Sequence, residues 1–534
     1  MNPVKFKSYF PKYSYVVFIV CLLGMAFLFN YHKIIRLKPT SIHQWRQADC
    51  WSFAVNYYEE GLNFFKPSLH FIGKSNTGNA SGEFPIIYYT VAQIWKLTGP
   101  KAWLFRGFNI FIVFAGLLAL FKLFEKIVMD SVWAIMLTLL LFTSPILVFY
   151  TNNFIADAPA LGFSFLGAYF FYGFYVSKSQ KKLYVACVFF LLGALLKVTA
   201  AILFIAILVI YVVEIVKLFK FKGDEKLFDK PIKQGIPLLL VIVFSFSWYS
   251  YSAYYNALYN GEYFLLGILP VWDMDYPLIN QITRILNENL VYQFFSISVI
   301  SVVVGMLVLL IIFRKNVNKL LLILSLLLLM GGFFYMMLWF RVFDVHDYYL
   351  LNLLIIVVLV FITFFAFIRQ NYPLLLKVNG LKWAFLIFLC YNIYYSRAKN
   401  AIKYEKRGEK WAYSFINRTN ELEYWGWLHW YSETYMKAYE TVTPYLRSLG
   451  ISRNDRVISI SDHSPNITLS LMDQKGVTDF GKSIEDADRV NMEIRRGAKY
   501  LIINNPDYYK KDFIQPFIKR KIGTYMNIDI FDLR

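Results

Sequence analysis

The stretch HQWRQADCWSFAVNYYEEGLNFF, residues 43–65, carries His43, Arg46, Asp49, Glu59 and Glu60 between apolar text on both sides. Glu83 follows in GEFPIIYYTVAQIWKLTG (82–99). Further on, Asp157 lies in YTNNFIADAPA (150–160), Lys197 in LLKVTA (195–200), and Arg341, Asp344, His346 and Asp347 in WFRVFDVHDYYLLN (339–352). A carboxylate can take the proton of a nucleophilic hydroxyl. Cations beside it can hold a phosphate, as ligand or as leaving group. Such a set suits group transfer from a donor that joins a lipid tail to a phosphate, if the residues meet at a membrane.

Taken singly, each residue has a plainer explanation. Asp157 precedes an apolar run and suits an N-cap or a dipole partner as well as a catalytic carboxylate. Lys197 can snorkel to an interface. Arg341 and His346 suit interfacial anchors, and Glu59 and Glu60 a solvated face. Asp49 is harder to dismiss, because it sits in a long polar loop and such loops tend to be functional. Convergence tips the balance: ionisable residues of both signs at one membrane depth are a site by default.

The elements that must position them are membrane spans. Of 534 residues, 58% are hydrophobic and 17% charged, against roughly 25% charged in a soluble domain. Apolar runs of about 20 residues recur through residue 396, about eleven in all: 13–31, 103–121, 132–150, 158–176, 183–199, 200–216, 235–255, 291–313, 320–340, 348–368 and 378–396. Placing the N-terminus in the cytoplasm makes every inner segment basic. These segments carry Lys5, Lys7 and Lys12; Lys122 and Lys126; Lys178, Lys181 and Lys182; Lys217, Lys220, Lys222, Lys226, Lys230 and Lys233; Arg314, Lys315 and Lys319; and Arg369, Lys377 and Lys382. The outer loop at 256–290 has Arg284 against Glu262, Asp273, Asp275 and Glu288. The net charge of +20 is then topology, not nucleic-acid binding. In this arrangement Asp49, Glu83, Asp157, Lys197, Arg341 and His346 all reach the outer interface. The first outer loop, 32–102, has flanks that read as amphipathic helices at the membrane surface, joined by the turn-rich KSNTGNASG.

The predicted fold is an all-α multi-pass transmembrane bundle over 1–396, followed by a small extracytoplasmic α/β domain over 397–534. In that domain DRVISISD (455–462) and AKYLIINN (498–505) read as buried strands, SIEDADRVNMEIRRG (483–497) as a helix, and IGTYMNIDIFDL (522–533) as a final strand. Three of the four cysteines, Cys21, Cys50, Cys187 and Cys390, lie in apolar runs, and no metal or disulfide spacing is visible. No phosphate-binding or dinucleotide glycine loop is present, so a lipid-linked donor fits better than a nucleotide.

At these residues the sequence resembles the multi-pass GT-C glycosyltransferases, near the protein O-mannosyltransferase and lipid A aminoarabinose transferase branch. The text that carries the likeness is WRQAD…NYYEEGLNFFKPSLHF…GEFPIIYYTVAQIWKLTG, then FIADAPALGFSFLGAYFF, LLGALLKVTA and HDYYLLNLL. The resemblance implies a polyprenyl-phosphate sugar donor and transfer to a glycan, lipid or protein acceptor outside the cytoplasm, in a cell inner membrane. It implies that Asp49 is the general base, that Glu83 is the second loop carboxylate, and that Asp157 is the acidic position opening the fourth span. Relatives follow the Glu with Lys-Pro-Pro. Here the text is Glu83-Phe84-Pro85-Ile86, so the phosphate contact must come from Arg46, Lys197, Arg341 or Tyr348. In some relatives the Glu contributes to a metal site, so a divalent metal held by Glu83 and His346 is a possibility left open.

The expected mechanism is one displacement with inversion: Asp49 deprotonates the acceptor, its oxygen attacks the anomeric carbon, and polyprenyl phosphate leaves. Two rivals share the membrane-lipid setting. A transporter or flippase tends to place its charges at mid-membrane and to show repeats. A glycan polymerase or ligase shares the substrate class but not the Asp49 and Glu83 pattern.

Overall fold

The computed structural model describes residues 13–218, 226–261, 264, 267–405 and 416–534. Lys5, Lys7, Lys12, Lys220, Lys222 and Glu262, used above to orient the chain, lie outside them.

Helices occupy all the expected segments, and the chain is a multi-pass membrane protein. Among the described residues, six helices are long and apolar enough to cross a bilayer: Ala102–Val128, Asp157–Ser177, Val198–Ile215, Pro231–Tyr259, Lys319–Leu338 and Asp347–Asn371. Counting each bent pair as one span raises this to eight. The pair Ser131–Phe142 and Pro145–Thr151 bends by 79°, where Pro145 has no N–H to continue the ladder and starts a new helix instead. The pair Tyr276–Phe294 and Ile297–Ile312 bends by 90°, at extended Phe295, and restarts when the Ser296 side chain accepts from Val299 N. Of the other expected spans, Ser14–Leu28 is an apolar helix of 15 residues, Gln180–Leu196 has 17, and Asn379–Ala401 is long but mixed. Among the described residues, length and composition thus support six to eight spans, and the expected count of eleven is not confirmed.

The helices that frame the polar end are locked by close packing. A Cβ added at Gly116 would stand 2.5 Å from Gly162 O, so Ala102–Val128 and Asp157–Ser177 touch backbone to backbone. Gly193 brings Gln180–Leu196 against the same helix, near Ala160 O. Asp157 and Lys197, at the ends of these helices, are therefore placed by rigid elements.

The first loop departs from expectation. Its helix Gln44–Glu59 is no membrane-surface helix: 12 of its 16 residues are buried. It is covered on one side by the loop's second helix, where Trp51 meets Trp95 at 4.9 Å, and by the bundle, where Trp51 meets Phe154 at 5.7 Å. On the other side is the C-terminal region, where Ser470 Oγ donates to Ala48 O at 3.0 Å. A short run of alternating apolar and polar text cannot distinguish a helix facing lipid from one buried on both faces.

The C-terminal region holds a five-stranded sheet, ordered β2-β1-β3-β5-β4. β1 (Arg456–Ile460), β2 (Gly476–Thr478) and β3 (Ala498–Ile503) are parallel, while β4 (Lys521–Tyr525) and β5 (Ile528–Asp532) add antiparallel. The helix Ala487–Arg495 precedes β3 as expected. The expected single last strand is a hairpin, because Met526 adopts φ 53 and turns the chain back. β2, too short and too polar to stand out, was not expected. The loop joins this sheet: Ile72 N donates to Gly476 O at 2.9 Å and Gly476 N to His70 O at 3.2 Å, so Phe71 and Ile72 enter the domain's core. Glu60, expected on a solvated face, instead binds Arg453 at 2.9 Å and Lys475 at 2.7 Å.

Candidate functional site

Arg46 and Asp49 stand three residues apart on one helix and so share a face. Glu83 reaches that face from the segment before Ile86–Thr98, which is pinned by Phe84 N donating to Leu195 O at 3.1 Å. The Arg46 guanidinium hydrogen-bonds Glu83 and lies 3.7 Å from Asp49 Oδ2. Tyr88 OH donates to Glu83 at 3.2 Å. Across from them Lys197 Nζ sits 3.2 Å from Asp157 and over the rings of Tyr348 (5.1 Å) and Tyr349 (4.3 Å). The two pairs form one electrostatic unit: Lys197 and Arg46 act on Glu83, and Glu83 and Arg46 act on Asp157.

Burial divides the carboxylates. Asp49, 1% exposed, is pushed up to about 7 by desolvation, against the pull of Arg46. Burial would also raise Glu83, but Arg46 and Lys197 outweigh it and hold Glu83 below the usual range. The site thus contains one carboxyl poised to exchange a proton near neutrality and one fixed as an anion, the separation that acid–base work needs. Arg46 Nη1 and Asp49 Oδ1 are buried and have no hydrogen bond among the described residues, while the Asn466 side chain is a hydrogen-bonding neighbour of the Asp49 carboxyl.

A second group adjoins. His43, in the left-handed region at φ 53, hydrogen-bonds Asp347 at 3.1 Å, which also accepts from Tyr150 OH. His43 stacks on His346 at 5.5 Å and meets the edge of Tyr348 at 5.1 Å. Desolvation, then His43 and Lys197, lowers His346 to about 3, so its ring is neutral. Trp45, 39% exposed, closes the row at 6.4 Å from His346.

Asp49, Glu83, Asp157, Arg46, Lys197, Tyr348 and His346 therefore gather at one end of the bundle. Arg341 does not join them: it is exposed in the turn Phe340–Asp344 and makes no ion pair among the described residues. Among the described residues no three His, Cys, Asp or Glu side chains converge as a metal would need, and Glu83 is occupied by Arg46, so no step below runs through a metal. Reading the sequence alone left His43, Asp347, Tyr88 and Asn466 without a role. The first two lie near Arg46 and next to His346 in the sequence. Asn466, far along the chain, had no signal beyond a sequon.

Fold and site together define a class: a multi-pass helical membrane protein with a buried ionic centre at one end of its bundle, beneath a small α/β domain. Residues 82–249, which include Glu83, Asp157 and Lys197, match the family model described as dolichyl-phosphate-mannose-protein mannosyltransferase. In fold the chain is similar to ArnT from Cupriavidus metallidurans. The apo structure matches with a TM-score of 0.59 at 9% identity, covering 97% of this chain and 97% of that one. The structure bound to undecaprenyl phosphate matches with 0.59 at 10% identity, covering 97% and 98%. The oligosaccharyltransferase of Archaeoglobus fulgidus, tethered with an acceptor peptide, matches with 0.48 at 12%, covering 93% of this chain and 70% of that one. No curated protein matches the sequence. The family-model match over residues 82–249 and the ArnT-like fold agree with the resemblance read from the sequence.

Proposed function

We propose that the protein is a glycosyltransferase that moves a sugar from a polyprenyl-phosphate donor to an acceptor on the extracytoplasmic face of the cell inner membrane, with its N-terminus cytoplasmic and its 397–534 domain outside. The observation that carries this is the buried cluster in which Asp49, poised near neutrality, lies beside Arg46, with Lys197 paired to Asp157 in the same cluster, at the end of an apolar bundle. Asp49 takes the proton of the acceptor hydroxyl. The oxygen attacks the anomeric carbon, the bond to the phosphate oxygen breaks, and the configuration inverts. The departing phosphate takes the electron pair, and its charge is met by Arg46 Nη1 and Lys197, with Tyr348 lining the approach.

A small apolar crevice of about 60 Å³ opens between the helices, in keeping with a lipid-borne donor. Leu203, Ile355 and Leu324 are among its lining residues. The similar fold of ArnT, solved with undecaprenyl phosphate, supports the same donor class. The test is purified protein in detergent or vesicles with undecaprenyl-phosphate sugars labelled in the sugar. Covalent transfer that Asp49→Asn abolishes, with the variant still folded, is the expected result. Translocation of label without bond cleavage, or wild-type turnover in Asp49→Asn, refutes it.

A further inference from the structure

We propose that Lys33, Arg36, Lys96 and Lys101 dock the anionic headgroup of a phospholipid in the outer leaflet. The choice of leaflet rests on the topology proposed above, while the docking itself does not depend on glycosyl transfer.

Residues 31–42 and 96–109 hold Lys33, Arg36, Lys38, Lys96, Lys101 and Arg106 and contain no Asp or Glu. Two of these cations are used inside the fold. Lys38 Nζ donates to Glu440 O at 2.7 Å, and the buried Arg106 donates to Leu37 O at 3.0 Å and Lys38 O at 3.4 Å. The side chains of the other four are exposed and make no ion pair or hydrogen bond among the described residues.

The backbone brings these four to one place. The Arg106 bonds hold the segment after Tyr31–Ile34 against the start of Ala102–Val128, where a Cβ on Gly107 would stand 3.9 Å from Ile35 Cδ1. Trp95 Nε1 donates to Lys101 O at 3.3 Å, which folds the end of Ile86–Thr98 onto the same helix start. Like charges gathered without counter-ions repel one another and attract an anion. Their place outside also runs against the usual inward bias of Lys and Arg.

The surface below the cations says which anion fits. Trp103, Gly107 and Phe111 follow at intervals of four on one face of Ala102–Val128. Trp103 is 48% and Phe111 69% exposed, and on a membrane span such a face meets acyl chains. Leu23 and Phe27 are exposed likewise on Ser14–Leu28, which stacks on Ala102–Val128 through Phe18 and Phe121 at 4.7 Å and leads into Lys33. Leu97, beside Lys96, is 88% exposed. The cations thus cap two apolar faces, with Trp103 at the level where tryptophan meets headgroups. A soluble polyanion would satisfy the charges and leave these faces unused. A phospholipid satisfies both, with its phosphate on the cations and its chains on Phe27 and Phe111.

The test uses full-length protein in phosphatidylcholine vesicles doped with phosphatidylglycerol or phosphatidylcholine that carries a photoreactive group just below the headgroup. Mass spectrometry reads the labelling of peptides covering 31–37 and 96–103. Each cation at a lipid surface favours an anionic headgroup by roughly fivefold at most, so phosphatidylglycerol labels these peptides at least about threefold more than phosphatidylcholine. The preference falls to near unity in Lys33→Gln/Arg36→Gln/Lys96→Gln/Lys101→Gln, and also at about 1 M salt, where the Debye length is about 3 Å. Melting temperatures within about 2 °C of wild type show that the variant is folded; if it is not, Lys33→Gln/Arg36→Gln and Lys96→Gln/Lys101→Gln are read separately. Equal labelling by the two lipids in wild type, or a preference that the neutralised variants keep, overturns the docking. Loss of the preference to inorganic phosphate at matched ionic strength assigns the patch to a soluble anion and overturns it as well. A membrane-impermeant maleimide on Thr98→Cys in intact cells, read against the wild-type background, reports the side separately. Labelling supports the outer leaflet, and labelling only after permeabilisation overturns the leaflet and the topology together.

Discussion

Replacing Arg46 by Gln tests the electrostatics of the site most directly. Arg46 Nη1 lies 3.7 Å from Asp49 Oδ2. Two unit charges at that distance interact by roughly 4 to 5 kcal/mol at an effective dielectric near 20. Neighbouring cations depress carboxylates by roughly 1–3 units in practice. Asp49 stands at about 7 with the arginine in place, so its loss carries the group to roughly 8–10. Glu83, relieved of its partner, pushes the same way. The sign follows from the role: a base acts deprotonated, so kcat/KM rises about tenfold per pH unit below the Asp49 value and levels off above it. In wild type the limb breaks near pH 7, and activity falls about tenfold from pH 8 to pH 6. In Arg46→Gln the break moves up by at least about one unit, and the rate at pH 7 falls at least roughly fivefold from this cause alone. The assay is the initial rate of sugar transfer from pH 5 to 10. Loss of a phosphate contact would lower the plateau without moving the break, so the break position is the diagnostic quantity. A break within about 0.3 unit of wild type refutes the placement of Asp49 as the base.

Other perturbations follow from the same geometry. Lys197→Met leaves Asp157 buried without its cation and costs roughly 3–5 kcal/mol; adding Asp157→Asn recovers much of the melting temperature but not the transfer activity. Arg453→Ala removes its bonds to Asp473 (2.8 Å) and Glu60 (2.9 Å) and weakens the clamp between loop and sheet by roughly 1–3 kcal/mol, which hydrogen exchange reports as faster exchange at His70–Ile72. Gly116→Val drives branched carbons into the Gly162 carbonyl and destabilises the bundle by roughly 1–3 kcal/mol or more, seen as a lowered melting temperature in detergent.

The membrane class, the helical segments, β1, β3 and the helix between them are legible in the sequence, because hydrophobic run length and local periodicity are properties of neighbours along the chain. So were the carboxylates and cations worth watching, since charges in apolar text are costly without a reason. The reading failed where the answer depends on what covers an element. Gln44–Glu59 has the pattern of a surface helix, but a domain some 400 residues later lies on its second face. Arg341 looks as charged as Lys197, yet one is exposed and the other is held against Asp157 and two tyrosines.

The sequence by itself determined the solvent, the helices and the inventory of groups able to do chemistry. Only the tertiary structure decided which of them meet, that Asn466 comes to stand beside Asp49, and that one carboxyl rises to about 7 while its neighbour stays ionised. The reason is that acidity and contact depend on distance and on exclusion of water, and both are set by packing between segments far apart in the chain.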